Sequence, residues 1–251
     1  DNYTDSDEPS EGHRTMIFDI EVEVTDGFPN IQRADNKITS IAFNDPILDE
    51  YFCYALDPKD KLKSNNSTDT IVSFKDEYDL LNDVPYLYNR AQQVVGRNIA
   101  DVLSPIGQVH WSDFANRYKI AGVSILDYLT LYKKFTFSQQ PSYRLDAIGE
   151  YEVGEKKVEY EGTLNDLYEN DLEKFVEYNL QDVKLVKKID DKLDFIEIAR
   201  GLAHLGHCPY EDVFMSSRYL EGAILVYLRK QEIVAPNKPT KGINKSEKFE
   251  G

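Results

Sequence analysis

The run from Thr163 to about Ile198 constrains this chain more than any other stretch. Leu172, Phe175, Val176, Leu180, Val183, Val186 and Ile189 recur every three or four residues, the spacing that puts side chains on one face of an α-helix. A stripe of that length cannot be left in water, so the fold must lay a second layer against it. Thr163, with Asp166 three residues on, predicts the N-terminal cap of the run. Asp182 intrudes near the apolar stripe, and Tyr178, four residues earlier, shares its face. Taken alone, the pair is also what an ordinary exposed helix surface carries.

Strands are predicted in the N-terminal half. In "MIFDIEVEV", read as a strand, Phe18, Ile20, Val22 and Val24 share one face, and Ile17, Asp19, Glu21 and Glu23 share the other. Three carboxylates on one face repel one another unless water or a cation takes up the field. An Asp and a Glu two apart can converge on one hard cation, which prefers oxygen ligands. They can equally form the solvated face of an edge strand. The apolar residues around the pair read this strand as central.

"KITSIAFN" and "EYFCYAL" predict two more strands, and the short connections suggest antiparallel pairing. "DGFPN" is a turn and "PKDKLKSNNSTD" a polar loop. "FKDEYDLLNDVPYLYNRAQQVV" has helical composition, with Pro85 expected to break it. "LSPIGQVHW", with Pro105 and Gly107, predicts a hairpin tip. "GVSILDYLTLYKKF" and "MSSRYLEGAILVYLRKQ" predict helices, and the Pro- and Lys-bearing tail from Val234 a linker. Strands followed by helices predict an α/β or α+β layered fold.

The formal charge of −16 over 251 residues argues against passive binding of a phosphate backbone. Metal-dependent nucleases are the exception, because a bound cation inverts the sign of an acidic site. Cys53 and Cys208 are too few for a disulfide framework, so a reducing compartment is expected. His204, His207 and Cys208 have a zinc-like spacing but no fourth ligand nearby, and a loop pair without metal is the expectation. Asp83, just ahead of Val-Pro, fits a helix N-cap. No apolar run is long enough to span a membrane. The polar start, "DNYTDSDEPSEG", leads to the expectation that the chain is a piece of something longer.

"FDIEVE", "DVPYLYNR" and "YNLQDVKLV", in that order, resemble the three exonuclease motifs of family B DNA polymerases. "SPIGQV", "PSYRLDAIGEYE" and "VFMSSRYLEGAILVYL" are similar to the replicative polymerases of large tailed bacteriophages, and the resemblance runs from about Arg14 to Pro239. It implies a ribonuclease H-like α/β fold, a mixed sheet flanked by helices. It also implies an acidic leader at 1–13, an exonuclease domain at 14–195, and at 196–251 the helical start of a polymerase palm region with a linker tail.

The implied activity is a proofreading 3′–5′ exonuclease working by two-metal-ion hydrolysis with Mg²⁺, Mn²⁺ being able to substitute. By motif position, Asp19 bridges the ions, Glu21 and Asp182 complete one, and Asp83 helps to hold the other through water. Tyr178 orients the attacking water. Phe28 stacks near the terminal base, and Pro105, Ile106 and Gly107 belong to a hairpin that separates the DNA strands. The implied partners are the single-stranded 3′ end of primer–template DNA, the remainder of the polymerase chain, a sliding clamp and other replisome proteins, with no membrane. The implied location is the cytoplasm of an infected bacterial host.

One departure stands out. "EYDLLN" runs straight into "DVPYLYNR", where the family places a further strand and an Asn-bearing segment before the second motif. The aspartates of the polymerase site are absent, so DNA synthesis by this chain is not expected. The alternative reading is a catalytically impaired DNA-binding or structural remnant.

Overall fold

The computed structural model of the chain describes residues 14–24, 36–45, 48–63, 68–88, 108–112, 117–122 and 124–237. Four strands form its main sheet: β1 (Phe18–Val22), β2 (Ile38–Asp45), β3 (Glu50–Leu56) and β4 (Thr70–Phe74), in the order β1-β2-β3-β4. The first three pair antiparallel, as the short connections suggest, and β4 joins β3 in parallel, so the sheet is mixed. The long polar connection after β3 gives the chain room for that crossover. The sequence reading did not anticipate β4, whose signal is the β-branched run Thr70-Ile71-Val72.

The two faces of the sheet are covered by different elements. Phe18, Ile20 and Val22 of β1 pack with Ile41, Phe43, Tyr54 and Leu80, the last from α1 (Glu77–Tyr88). Ile17, Ala42, Cys53 and Ala55 face Val176, Leu180 and Val183 of α5 (Leu172–Leu193). The alternation predicted for β1 is therefore observed. Its central position is not: among the described residues β1 is an edge strand. Its apolar flanks come from cover on both faces, not from neighbours on both sides. Helix α1 continues through Pro85 instead of breaking there. Proline costs the helix one hydrogen bond to the previous turn, and α1 ends three residues later.

The remaining helices are α2 (Tyr128–Phe135), α3 (Leu145–Val153), α4 (Leu164–Asn170), α6 (Phe195–Gly206) and α7 (Ser216–Lys230), with a 3₁₀ turn at Tyr210–Phe214. The long helical signal resolves into α4, α5 and the start of α6. Thr163 and Asp166 form the expected capping box of α4. The Asp171 side chain caps α5 by accepting from the Lys174 N–H, and Asp194, at φ 55°, ends it in the left-handed region. The second apolar side of α5, Leu185 and Ile189, meets Leu131, Tyr132, Ile148, Phe195, Ala199 and Val213. Helix α5 is thus the shared wall between sheet and helices.

A separate hairpin joins β5 (Val109–Ser112) to β6 (Arg117–Ile120). Ser112 pairs with Arg117 at one end of its ladder, and the tip predicted at Pro105–Gly107 lies outside the described residues. Among the described residues no helix is long and apolar enough to cross a membrane.

Candidate metal centre

Register and helix pitch together bring three carboxylates to one point. Asp19 pairs with Ala42 and Glu21 with Ser40 across the β1–β2 ladder, so both project from the face covered by α5. The buried Asp182 approaches from α5, and oxygens of Asp19, Glu21 and Asp182 lie within 4.8 Å of one another. Asp19 and Asp182 line a cavity of about 950 Å³ between β1 and the helices. Met16–Ile20, Tyr143 and Asp182 are among its lining residues.

Neighbouring side chains fix the group. The fully buried Asn179, three residues before Asp182, donates from Nδ2 to Asp19 Oδ2 at 2.8 Å. Its Oδ1 accepts from the Ser40 hydroxyl at 3.0 Å, which sets the amide orientation. Lys157, in the loop after α3, lies 2.5 Å from Asp182 Oδ2 and donates to the Tyr178 hydroxyl oxygen at 2.7 Å. Its ammonium also sits 4.6 Å from the Tyr178 ring centroid, and the Tyr160 ring packs edge-on against Tyr178.

The electrostatics follow from burial. Burial, reinforced by Asp19 and Asp182, pushes the Glu21 carboxyl up to about 8 against the pull of Lys157. Burial raises Asp182 to about 6, with Lys157 opposing and Asp19 and Asp146 adding to the rise. Asp19 is also raised by burial, restrained by Lys157 and by the hydrogen bond from Asn179. Burial lowers Lys157, but Asp182 and the Tyr178 hydroxyl together outweigh it and hold the ammonium above the ordinary lysine range. Tyr178 rises to about 12, chiefly through burial.

Such a set fits a hard divalent cation. Every candidate ligand atom is a carboxylate oxygen, the preference of Mg²⁺ and Mn²⁺. One oxygen, Asp182 Oδ1, is buried with no hydrogen-bond partner. A buried acceptor left unsatisfied is costly, and a cation at the cluster would relieve it together with the mutual repulsion.

Of the residues singled out from sequence, the structure brings together Asp19, Glu21, Asp182 and Tyr178. It does not bring Asp83. Leu80, one turn earlier on α1, packs into the opposite face of the sheet, and Asp83 is exposed outside the cluster. Because Leu80 and Asp83 lie on one continuous helix, no segment between them carries Asp83 around to the α5 face. Phe28, Pro105, Ile106 and Gly107 lie outside the described residues. Sequence reasoning missed Lys157, Asn179 and Asp146. Asn179 had a signal, since its i, i+3 spacing puts it on the face of Asp182. Lys157 had none, because only the tertiary path of its loop brings it in.

No protein-family model matches the chain. The chain is similar to the DNA-directed DNA polymerase of Escherichia phage RB69, 28% identical over 273 residues, covering 89% of the chain and 30% of that polymerase. It is also similar to the DNA-directed DNA polymerase of Enterobacteria phage T4, 34% identical over 160 residues, covering 61% of the chain and 18% of that polymerase. The resemblance to phage DNA polymerases read from the sequence is therefore borne out over most of the chain. The chain spans less than a third of the length of these relatives. The 273 aligned positions exceed the 251 residues of the chain, so the RB69 protein carries residues with no counterpart here.

Proposed function

We propose that the chain is the 3′–5′ exonuclease region of a family B DNA polymerase, with a ribonuclease H-like fold, and that it removes terminal nucleotides from DNA by metal-dependent hydrolysis. The observation that carries this reading is the convergence of Asp19, Glu21 and Asp182 from β1 and α5 on one buried point. Asp19, Glu21 and Asp182 would hold Mg²⁺ or Mn²⁺. When bound, divalent ions would supply positive charge that acidifies the attacking water and stabilises the departing 3′ oxygen.

The protein's own groups do the positioning. Asn179 fixes the Asp19 carboxylate by holding one of its oxygens. Tyr178 accepts from Lys157, so its own O–H proton is free to point away from the ammonium and to orient a water. Lys157 supplies a fixed positive charge beside Asp182, the sign needed where a phosphate must approach three acids. Water oxygen bonds to phosphorus, the bond from phosphorus to the 3′ oxygen breaks, that oxygen takes a proton, and a nucleoside 5′-monophosphate leaves.

The test is release of nucleotides from a 5′-labelled single strand in Mg²⁺. Wild type should shorten it from the 3′ end, and Asp19→Ala should lower the rate by roughly 10³-fold or more, the scale of loss for a group acting in the transition state. Asp83→Ala should leave it within a few-fold of wild type, given where α1 carries that residue. A second reading, a DNA-contact module with impaired hydrolysis, is favoured by the position of Asp83 alone. Cation binding without release of any nucleotide would establish that second reading and sink the first.

A further inference from the structure

In a chain of charge −16, cations not neutralised by carboxylates mark where a phosphate backbone could lie. On α5, Lys184, Lys187, Lys188 and Lys192 each pair with an Asp or Glu. The end of α2 differs. Lys133 lies 4.7 Å from the centroid of the Tyr143 ring, and Lys134 lies 5.5 Å from that of Tyr219 and 3.5 Å from the Ser216 hydroxyl. Arg144 and Arg218 adjoin those two tyrosines in the chain and are exposed. Among the described residues, none of these four cations has a carboxylate at ion-pair distance.

Three further features converge on this surface. Helices α3 and α7 begin here, after Arg144 and Met215, and neither cap residue supplies a side-chain hydrogen bond to the first turn, so the positive end of each helix dipole faces this surface. Phe137, in the loop that follows Lys133 and Lys134, is 107% exposed, a whole aromatic ring without packing. Tyr143, beneath Lys133, lines the same cavity as Asp19 and Asp182, so the patch and the carboxylate site share a wall. Balancing the α2 dipole accounts for two lysines in its last turn. It accounts neither for the bare ring nor for the two arginines.

We propose that Lys133, Lys134, Phe137, Arg144 and Arg218 form a binding track for single-stranded DNA, holding the backbone behind a 3′ nucleotide placed at the carboxylates. Unstacked bases suit an exposed ring, and phosphates suit unpaired cations; together these select a single strand over a duplex. The direction of the strand rests on the exonuclease reading, whereas binding at the track does not.

The test is fluorescence anisotropy of a labelled twelve-residue oligothymidylate with the full chain in chelator, titrated over a range of salt. Replacing all four cations with Ala should reduce the slope of log affinity against log salt by up to about 0.7 per lost contact. Phe137→Ala should weaken binding about five- to a hundredfold with little change of slope. Lys59→Ala, at a surface lysine already paired with Glu169, should change neither. A trinucleotide too short to reach the track should be hydrolysed equally by wild type and the fourfold variant. Unchanged affinity and slope in the fourfold variant, absence of single-strand binding by wild type, or tighter binding to blunt duplex would each overturn the proposal. If wild type binds through the track yet releases no nucleotide in Mg²⁺, the track stands and the exonuclease reading falls. If wild type releases nucleotides while all variants bind alike, the reverse holds.

Discussion

At the residue scale the centre is a set of acids held where acids are unstable, and this has a pH signature. Glu21 rises from an ordinary value of 4.5 to about 8. In the metal-free protein its contribution to stability is full below about pH 4.5. It is lost as pH rises toward 8, because the unfolded chain releases the proton first. Asp182, raised to about 6, acts in the same direction. Glu21→Gln should therefore melt with wild type near pH 5 and progressively above it toward pH 8 in chelator, by about 2–4 °C for each kcal/mol relieved. Mg²⁺ should close the gap by stabilising wild type alone. Parallel melting curves of the two proteins from pH 5 to 8 would show that Glu21 carries no such penalty.

Lys157 gives a second prediction at this scale. Its ammonium pairs with Asp182, so a divalent ion held at the carboxylates would compete with it for that group. Lys157→Met should bind Mn²⁺ at least as tightly as wild type, by calorimetry, while nucleotide release slows about 10–100-fold. It should also cost about 1–3 kcal/mol at pH 7, less than the usual loss from a broken buried pair, because Asp182 can take up a proton. Weaker Mn²⁺ binding would contradict the competition. That Asp19 shares a face with Glu21, and Tyr178 with Asp182, was legible in the sequence because each pair lies on a regular element whose period fixes its direction. That the two faces meet was implied only by the family resemblance. Lys157 was not legible, because a loop carries it and no local period places a loop residue.

At the element scale the same contrast holds. The sequence pattern located β1, β2, β3 and α7, and it placed Phe18, Ile20 and Val22 opposite Asp19 and Glu21. It did not separate α4 from α5, because Asp171 reads as one more polar residue until its side chain is seen accepting from the Lys174 N–H. Nor did it give the crossing of α6 and α7. There a Cβ added to Gly222 would stand 1.8 Å from the Gly206 carbonyl oxygen, and one added to Gly206 would stand 2.4 Å from Tyr219 Cβ. Both contacts are with backbone or the base of a side chain, so neither can be relieved by rotating a side chain. Gly222→Ala should push the helices apart and cost about 1–3 kcal/mol. Gly201→Ala, with open space around it, should be neutral or slightly stabilising. Equal melting temperatures for Gly222→Ala and wild type would mean that the two helices do not meet at this distance.

At the scale of the whole molecule, burial is distributed unevenly, and stability should follow it. Every residue of β2 is buried, and α5 is covered by the sheet on one side and by α2, α3 and α6 on the other. Helix α7 has no buried residue, and Leu220, Ile224 and Tyr227 are exposed along it. Local opening of an element exposes only the apolar surface that element had covered. Releasing α7 therefore costs its contacts with α6 and the 3₁₀ turn, whereas releasing β2 or α5 opens both cores. Native-state hydrogen exchange should show the amides of β2 and α5 exchanging only through global unfolding, with a denaturant dependence matching the full transition. Amides of α7 should exchange at lower free energy and with a shallower dependence. Divalent cation should slow β1, β2 and α5, which carry or brace the carboxylates, and leave α7 unchanged. Equal protection of α7 and β2, or equal slowing of both by Mg²⁺, would mean that α7 opens only together with the sheet and α5.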